Sequence, residues 1–453
     1  MTGHYDLAVI GAGAAGLSVT YAAARLGVRV ALIERGTMGG ECLNTGCIPS
    51  KTLLAAAHRG VSFDHAKARI KATISAIAPM DSAARYSDLG ASIITGTARF
   101  TGRQSLEVDG VALTAKRIVV ATGSRPNIPD FCHGIPYLTN ETIWDLPALP
   151  THLLILGGGP MAFEMAEAFS ALGAKVTMIG GTRLLPREDP ELAAPLIAAL
   201  QSRGITLLTQ RAVAASAGPG FGPVLLLADG SEVTGTHLLI AAGRIVDVSS
   251  LNLAAGGISA GLDGIATDRS LRCLGNKAVF AAGDAANPQG VGPQRYTHVA
   301  GSHASIIIKQ ALFRLPAKLS TTPPVRAIYT HPELAQVGAT QAQAGPGAKT
   351  LIWPFADNDR TIAEDATAGL VKLVLDKSDR LVGAGITGPH AGEMIGLYAL
   401  MLVQKTKLSA LARVVLPYPT RSEAGKRAAG SLFAERLFTP QLSRLVKFMV
   451  RLP

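Results

Sequence analysis

Apolar runs, glycine clusters and helical stretches alternate in a regular order at the start of the chain. The apolar run at residues 6–10 is followed by a glycine cluster at residues 11–16 and by an alanine-rich stretch at residues 17–26, which favours a helix. A second apolar run, at residues 28–33, ends at Glu34. This order predicts a strand, a tight turn, a helix and a second strand, which together begin a parallel α/β sheet.

The glycine cluster has the spacing of a dinucleotide-binding turn. Gly11, Gly13 and Gly16 give the pattern Gly-x-Gly-x-x-Gly between the predicted strand and helix. Such glycines allow a close approach of the backbone to a pyrophosphate, and the helix N-terminus supplies amide donors. Glu34 lies about twenty residues further on, where a carboxylate that binds a ribose diol is expected. These residues predict a first dinucleotide site.

The same order recurs in the middle of the chain. An apolar run at residues 152–156 precedes a glycine cluster that includes Gly157 and Gly159, and a predicted helix at residues 163–172 and a predicted strand at residues 175–179 follow. Two dinucleotide sites in one chain predict one tightly bound flavin nucleotide and one exchangeable nicotinamide.

Three more predicted strands, at residues 118–123, 238–243 and 279–284, run into small residues at their ends. The first two are similar to each other and are expected to close the two nucleotide-binding lobes, and the third ends in an aspartate. The candidate cofactor-binding residues at these ends are Thr122, Gly123, Gly243, Gly283 and Asp284.

The pattern changes from about Thr321 onward. Short alternating strands are predicted at residues 370–375 and 381–386, and helices are predicted from Gly392. A proline-rich stretch at residues 319–324 is a candidate linker. The last part of the chain is therefore predicted to be a separate α+β domain.

The composition fits a compact α/β protein. Of 453 residues, 48% are hydrophobic and 17% are charged. No apolar run reaches the roughly 18 residues that a bilayer span needs, and no basic segment of a secretory signal begins the chain, so a cytoplasmic location is expected. The net charge of +11 favours anionic partners, but aromatic residues do not alternate with the basic ones, so no nucleic-acid partner is expected.

Two of the four cysteines form a close pair, which favours redox catalysis or metal binding over a disulfide scaffold. Cys42 and Cys47 lie in the segment Gly-Gly-Glu-Cys-Leu-Asn-Thr-Gly-Cys-Ile-Pro-Ser-Lys at residues 39–51. At the start of a predicted helix their sulfurs can close a small ring, and the helix N-terminus stabilises a thiolate. A structural disulfide or half of a zinc site is the alternative, but no second Cys/His pair is nearby in the sequence.

This segment resembles the redox-active segment of the class I pyridine nucleotide-disulfide oxidoreductases, which include glutathione reductase, dihydrolipoamide dehydrogenase and mercuric reductase. The other motifs follow in the family's order over essentially the whole chain. The resemblance implies an α/β homodimer with two Rossmann-like domains that bind FAD and NAD(P), and a C-terminal α+β dimerisation domain. It assigns residues 1–148 and 270–318 to FAD, residues 149–269 to NAD(P)H and residues 319–453 to the dimer interface.

The resemblance also implies roles for individual residues. Cys47 would be the sulfur against the flavin, giving a charge-transfer thiolate, and Cys42 would be the interchange thiol that meets the substrate. Lys51 would lie against the flavin, paired with Glu164 from the nicotinamide domain. Asp284 would bind the ribityl chain of the flavin.

Two features depart from the disulfide-reducing members. Their acid and base histidine lies in a His-Pro-x-x-x-Glu segment of the partner subunit, where this chain has Tyr418 and keeps Glu423. A phenol, with an ordinary pKa near 10, is a poor base at pH 7, which disfavours glutathione or lipoamide exchange. Mercuric reductases are more similar in carrying a tyrosine near this site, but they receive the metal on a C-terminal cysteine pair, whereas the last cysteine here is Cys273.

The nicotinamide preference is predicted from the end of the strand at residues 175–179. Gly180 and Gly181 follow that strand where an NAD enzyme carries an acid, and Arg183 or Arg187 is positioned to pair with a 2′-phosphate. This favours NADPH over NADH.

Residues 441–453 are predicted to form a basic amphipathic helix. Its apolar and basic residues recur at helical spacing; they are Leu442, Leu445, Val446, Met449 and Val450, with Arg444, Lys447 and Arg451 between them. Weak contact with a membrane surface is one hypothesis, and packing on the partner subunit or on the chain's own core is the commoner outcome.

Three functions are compatible with the sequence. The first is an FAD-dependent NAD(P)H oxidoreductase that passes electrons through a disulfide between Cys42 and Cys47 to a small-molecule or protein disulfide, or to another thiol-reactive acceptor. The second is a reductase of a thiophilic metal ion, as in mercuric reductases. The third is a redox-sensing, flavin-bearing interaction protein, which the presence of Lys51 and Glu164 beside the cysteines argues against, because a binding module does not need a complete electron path.

Overall fold

The computed structural model describes residues 3–218, 220 and 222–452, and the side chains of all of them except 435 and 436. Met1 and Thr2, at the start of the predicted FAD domain, and Pro453, at the end of the predicted tail helix, lie outside the described residues.

The described chain contains both α-helices and β-strands. The helices are α1 Ala14–Arg25, α2 Gly40–Asn44, α3 Cys47–His58, α4 Phe63–Ile77, α5 Ala83–Asp88, α6 Pro160–Ala171, α7 Pro190–Ser202, α8 Thr297–Ala311, α9 Gln341–Ala344, α10 Asp359–Ala363, α11 Ala391–Gln404, α12 Leu408–Arg413, α13 Glu423–Leu437 and α14 Pro440–Met449. The strands are β1 Gly3–Ile10, β2 Val30–Glu34, β3 Ser92–Thr95, β4 Ala98–Gly102, β5 Ser105–Val108, β6 Val111–Val120, β7 Arg125–Pro126, β8 His152–Leu156, β9 Lys175–Ile179, β10 Thr206–Leu208, β11 Ala212–Ala217, β12 Pro223–Leu227, β13 Glu232–Thr234, β14 His237–Ile240, β15 Arg244–Ile245, β16 Ala260–Gly261, β17 Gly264–Thr267, β18 Arg272–Cys273, β19 Asn276–Ala281, β20 Ala286–Pro288, β21 Arg326–Ile328, β22 Glu333–Gly338, β23 Lys349–Pro354, β24 Leu370–Leu375 and β25 Leu381–Gly388.

The starts of the two helices after the glycine clusters were predicted three residues too late. α1 begins at Ala14 and α6 at Pro160, because Gly13 and Gly159 are already the N-cap residues. Proline is favoured in the first turn of a helix, because the backbone N–H groups there make no hydrogen bond within the helix. Each helix therefore begins inside its glycine cluster.

The chain divides into two compact units. The first contains Leu208–Thr321 together with the described residues up to Thr182, and the second contains Arg183–Leu207 together with the described residues from Thr322 onward. The three-domain division with its predicted boundaries stays a prediction.

The main sheet of the first unit brings the predicted nucleotide-binding ends together. Strands β19, β6, β1, β2 and β3 are parallel neighbours in that order. Ile10 and Ala281 both pair with Val120, so the segments that follow these three strands leave the sheet at the same edge. The last residues of β1 are all buried, as expected for a parallel strand covered on both faces.

A second parallel sheet in the same unit repeats this arrangement. β8 lies between β9 and β14, and Leu156 of β8 pairs with Ile179 and Ile240. β8 and β9 have the bounds predicted from the sequence. The second glycine cluster therefore lies at the carboxyl edge of a parallel sheet, as the first one does.

The second unit contains an antiparallel sheet with the order β21, β22, β25, β24, β23. Its core is apolar and includes Phe355, Ile386, Ile395 and Tyr398 from strands, loops and α11. This sheet and its helices confirm the predicted α+β architecture, and β24 has its predicted bounds.

One lysine is buried within the second unit. Lys372 of β24 is 2% exposed, and its Nζ lies 2.9 Å and 3.0 Å from the two carboxylate oxygens of Asp189, which is also buried. Glu191 Oε2, at 2.7 Å, and Gln341 Oε1, at 3.1 Å, complete the contacts of this ammonium. Asp189 also caps α7 by accepting from the Glu191 amide. The ammonium of Lys372 therefore balances the buried negative charge of Asp189, the residue that caps α7.

The predicted basic amphipathic helix at the end of the chain is present, but its bounds and its packing differ from the prediction. It is α14, and none of its residues is buried. Packing on the chain's own core is therefore wrong for this helix. In the described part of the chain, no helix is both long enough and apolar enough to cross a membrane.

Candidate active site

The two glycine turns make the same contact with a neighbouring strand end. Gly11 has a φ of +102°, and a Cβ at this position would lie 2.4 Å from the Ala121 carbonyl oxygen. Gly157 has a φ of +147°, and its Cβ would lie 2.2 Å from the Ala241 carbonyl oxygen. Both positions require glycine, because a side chain would collide with backbone atoms. The two similar strand ends noted in the sequence supply these carbonyl groups.

The helices that follow the turns begin with open backbone amides. Gly13 and Gly159 are the N-caps of α1 and α6, and neither offers a side chain that could accept from those amides. A Cβ on Gly159 would meet no atom within 4 Å. Uncapped amides together with the helix dipole form a site for an anion such as a pyrophosphate.

Two polar groups at the first turn also fit a bound dinucleotide. Glu34 Oε2 accepts a hydrogen bond of 2.6 Å from the Ala12 amide, which ties the end of β2 to the turn. The Thr122 hydroxyl oxygen is buried and has no hydrogen-bond partner among the described residues. Buried hydroxyls are rarely left without a partner, so this group marks a position where a bound polar molecule fits.

The other predicted cofactor residues lie in the turns and at the strand ends. Gly16 is in the first turn of α1, Gly123 follows β6, Gly243 follows β14, and Gly283 and Asp284 follow β19.

Cys42 and Cys47 lie on two consecutive helices. Cys42 is in α2, and Cys47 is the first residue of α3, with Gly46 as its N-cap. The prediction that both lie at the start of one helix is wrong, because the backbone angles of Thr45 and Gly46 are not helical. In this structure both cysteines are free thiols and are half-buried.

The two thiols differ in their tendency to ionise. The hydrogen bond from Cys42, the hydrogen bond to Thr297 and the charge of Lys51 lower the pKa of Cys47 to about 6, although burial acts in the opposite direction. Thr297 Oγ1 lies 3.6 Å from Cys47 Sγ. The same cysteine hydrogen bond, together with burial, raises the pKa of Cys42. At neutral pH the pair therefore shares one proton, with Cys42 as the donor and Cys47 as the thiolate.

The cation that favours this thiolate is held by a buried carboxylate. Lys51 lies on α3 one turn after Cys47, and its Nζ is 2.7 Å from Glu164 Oε2 on α6. The Glu164 side chain is only 4% exposed, whereas that of Lys51 is 36% exposed. A charge-assisted hydrogen bond to a buried partner restricts the ammonium to one position. The pairing implied by the family resemblance is therefore present in the geometry.

An ion-pair network beside Cys42 was not predicted from the sequence. Glu41 Oε1 accepts hydrogen bonds of 2.7 Å from Arg244 Nη1 and from Asn140 Nδ2. Arg244 Nε donates to the Ser124 hydroxyl at 2.7 Å, and that hydroxyl donates to Asp284 Oδ2 at 2.5 Å. Arg244 thus connects the short helix that carries Cys42 to the aspartate at the end of β19.

Burial raises the pKa of Glu41 to about 7, although the charge of Arg244 opposes the shift. The neighbouring charges of Asp284 and Cys47 also raise it. A signal for this network was present in the sequence, since Arg244 directly follows the predicted strand end at Gly243.

Tyr418, Glu423 and Arg183 belong to the second unit. Tyr418 is 69% exposed, and its hydroxyl donates to Asp359 Oδ2 at 3.0 Å. This carboxylate raises the pKa of Tyr418, which keeps the phenol protonated at neutral pH. Glu423 is the first residue of α13, and the Arg183 guanidinium donates to the Glu188 carbonyl oxygen at 3.5 Å.

Alkylation should report the ionisation of Cys47. We expect the rate at which iodoacetamide modifies Cys47 in the reduced protein to be half-maximal near pH 6, compared with about 8.5 for an ordinary thiol. Cys42→Ala should move this midpoint upward more than Thr297→Val does, because the hydrogen bond from Cys42 is the larger cause of the shift. Mass spectrometry of the modified peptide measures the rate, and an unchanged midpoint in Cys42→Ala would contradict the shared proton.

Comparisons with known proteins cover almost all of the chain. The family model described as pyridine nucleotide-disulphide oxidoreductase matches residues 5–310, and the model described as the dimerisation domain of the same family matches residues 325–429.

Individual relatives match over nearly their full length. A mercuric reductase from Streptomyces lividans is 35% identical over 97% of this chain and 98% of that protein. A dihydrolipoyl dehydrogenase from Thermus scotoductus is 31% identical over 96% of this chain and 98% of that protein. The solved Cu(II) complex of the HOCl-induced flavoprotein disulfide reductase RclA from Escherichia coli has a TM-score of 0.86 and 26% identity, and covers 95% of this chain and 100% of that one.

Proposed function

The chain belongs to the pyridine nucleotide-disulphide oxidoreductase family, and on that premise we propose that it reduces a thiol-reactive acceptor that reacts with Cys42. Membership makes it an NAD(P)H-dependent flavoprotein oxidoreductase that binds FAD, and the dimerisation domain supports a homodimer. Family membership favours an enzyme over the redox-sensing, flavin-bearing interaction protein. When bound, FAD supplies the transfer of two electrons from the nicotinamide to the cysteine disulfide.

The nucleotide assignments and the compartment are part of this proposal. The first glycine turn, with Glu34, Thr122 and Asp284 around it, would hold FAD, and the second turn would hold the nicotinamide. A cytoplasmic location is proposed because four cysteines in 453 residues are too few for a disulfide scaffold.

The observation that carries the proposal is the hydrogen bond between the Cys42 and Cys47 thiols, beside the ion pair of Lys51 with the buried Glu164. Cys42 attacks as a thiolate after its proton passes along this hydrogen bond to Cys47, an uphill transfer because the pKa of Cys42 is the higher of the two. With a disulfide as acceptor, that thiolate forms a mixed disulfide, and the departing thiolate takes the proton from Cys47. The Cys47 thiolate then attacks the Cys42 sulfur, and the second departing thiolate takes a proton from water. The products are two acceptor thiols and the disulfide between Cys42 and Cys47.

A thiophilic metal ion is the second candidate acceptor, and Tyr418 is the observation that favours it. An exposed phenol kept protonated by Asp359 can donate a hydrogen bond but accepts a proton poorly. Binding of a soft cation to two sulfurs needs no added base, since the ion displaces the single shared proton of Cys42 and Cys47. The similar proteins named mercuric reductase, and the RclA complex with Cu(II), make this candidate specific enough to test.

Substitutions at Tyr418 separate the two acceptors. Tyr418→His should raise the turnover of glutathione disulfide by up to about 10²-fold, because an imidazole can act as acid and base near pH 7, and should leave Hg²⁺-dependent NADPH oxidation within a factor of about two. Tyr418→Phe is the matched control that removes only the hydroxyl. Steady-state NADPH oxidation with each acceptor measures both effects. Equal disulfide turnover in wild type and Tyr418→His would contradict a chemical role for this position.

Arg183 is proposed to select NADPH. Arg183→Glu should lower the preference for NADPH, measured as kcat/KM for NADPH divided by kcat/KM for NADH, by about tenfold or more. The reason is that the 2′-phosphate loses one charge-assisted hydrogen bond. Arg187→Glu makes the same charge reversal four residues further along the chain and tests whether the effect is specific to Arg183. A wild-type preference for NADH would overturn the assignment.

A further inference from the structure

The tail helix α14 is specified by local signals and not by packing. The Thr439 hydroxyl accepts from the Leu442 amide at 3.3 Å and caps the helix, and Pro440 occupies its first turn. Both features favour a helix start at this point. None of the residues of α14 is buried.

Apolar and basic side chains occupy opposite faces of this helix. At 100° per residue, most of the apolar residues fall within one arc; they are Leu442, Leu445, Val446 and Met449, with Val450 and Leu452 just beyond the helix end. Phe448, which is 62% exposed, lies between this arc and the basic residues. The basic residues Arg444, Lys447 and Arg451 fall within a narrow arc on the other side. Residues 437–452 include no Asp or Glu, so the basic face is not neutralised along the helix.

The apolar face of α14 is largely exposed to water, and a helix of ten residues with such a face is only marginally stable alone. Leu445 is 52% exposed, Met449 is 58% exposed and Val450 is 79% exposed. Helices shorter than about 12–15 residues are marginal in water unless an amphipathic face is covered. We therefore expect a partner surface to cover this face.

We propose that α14 lays the protein on an anionic lipid surface. An apolar arc opposite three cations suits a helix lying in the membrane plane, with the apolar side chains among the acyl chains and the cations at the phosphate headgroups. At about 15 Å, a helix of ten residues is too short to span a bilayer. The helix also lies beyond residues 325–429, the extent of the matched dimerisation domain.

Vesicle flotation of the full-length, FAD-loaded protein tests this proposal. We expect binding to vesicles of phosphatidylcholine with phosphatidylglycerol, and little binding to phosphatidylcholine alone. Changing Arg444, Lys447 and Arg451 together to Gln should weaken partitioning by about 10²-fold, since each cation near an anionic surface contributes about 1 kcal/mol. The double substitution Leu445→Ser with Met449→Ser should also release the protein from the anionic vesicles.

The matched control is the change of Lys71, Lys277 and Lys318 to Gln, which removes the same charge from exposed positions elsewhere. It should leave binding within about twofold of wild type if the α14 cations are the ones that contact lipid. Equal binding by the α14 charge variant and the control would overturn the proposal, as would equal binding to both vesicle types. Loss of dimer mass in the Leu445→Ser, Met449→Ser variant without any lipid binding would assign the face to a second copy. Circular dichroism checks that each variant is folded.

Discussion

Replacing Cys42 by alanine is expected to lower NADPH-dependent reduction of both glutathione disulfide and Hg²⁺ by about 10³-fold or more. The acceptor loses its reacting sulfur, and Cys47 loses the thiol with which it shares a proton. Reduction of ferricyanide by NADPH should stay within a factor of about two of wild type, because this dye takes electrons without a dithiol. Steady-state rates with the three acceptors measure the effect.

Cys132→Ala is the matched control for this substitution. Cys132 is fully buried, and it belongs to an apolar cluster of the first unit. Its removal should leave the ratio of disulfide to ferricyanide turnover unchanged, whatever it does to stability. Retention of Hg²⁺ or disulfide turnover by Cys42→Ala would mean that the acceptor reacts elsewhere.

Lys372→Met should destabilise the second unit by about 3–5 kcal/mol, because it leaves the buried carboxylate of Asp189 without its cation. Urea unfolding followed by circular dichroism measures the change in free energy. The double substitution Lys372→Met with Asp189→Asn should recover most of the loss, since it removes the uncompensated charge while an amide oxygen can still cap α7.

An exposed ion pair in the same unit provides the comparison. Lys349 Nζ lies 2.9 Å from Asp379 Oδ1, but the lysine side chain is 54% exposed. Lys349→Met should therefore cost at most about 1 kcal/mol. Equal costs for Lys349→Met and Lys372→Met would show that burial does not set the strength of the Lys372 contact.

The sequence was most informative where continuous apolar runs meet glycine. β8, β9 and β24 have their predicted bounds, because apolar runs end sharply at glycines or charged residues. Helix starts were less well predicted, since glycines in the cluster looked like turn residues although Gly16 already lies in α1. The same small residues occupy the turn and the first helical positions, so amino-acid composition alone does not show where the helix begins.

The part of the site that could not be predicted depends on contacts between distant segments. Glu41 was visible in the cysteine segment, but its partner Arg244 lies 203 positions away, in the short strand β15 that pairs with β7. Thr297 is likewise brought to Cys47 from the start of α8. Local patterns identify candidate residues, whereas partners of this kind are set by the sheet order.

The single proton held between Cys42 and Cys47 has a consequence for electrochemistry. Between the pKa of Cys47, about 6, and the higher pKa of Cys42, reduction of the disulfide takes up two electrons but only one proton. The midpoint potential of the couple then falls by about 30 mV per pH unit, half the slope of an ordinary dithiol. A change in the acidity of the surroundings would therefore alter the reducing power of this cysteine pair only half as much as that of free dithiols in the same solution.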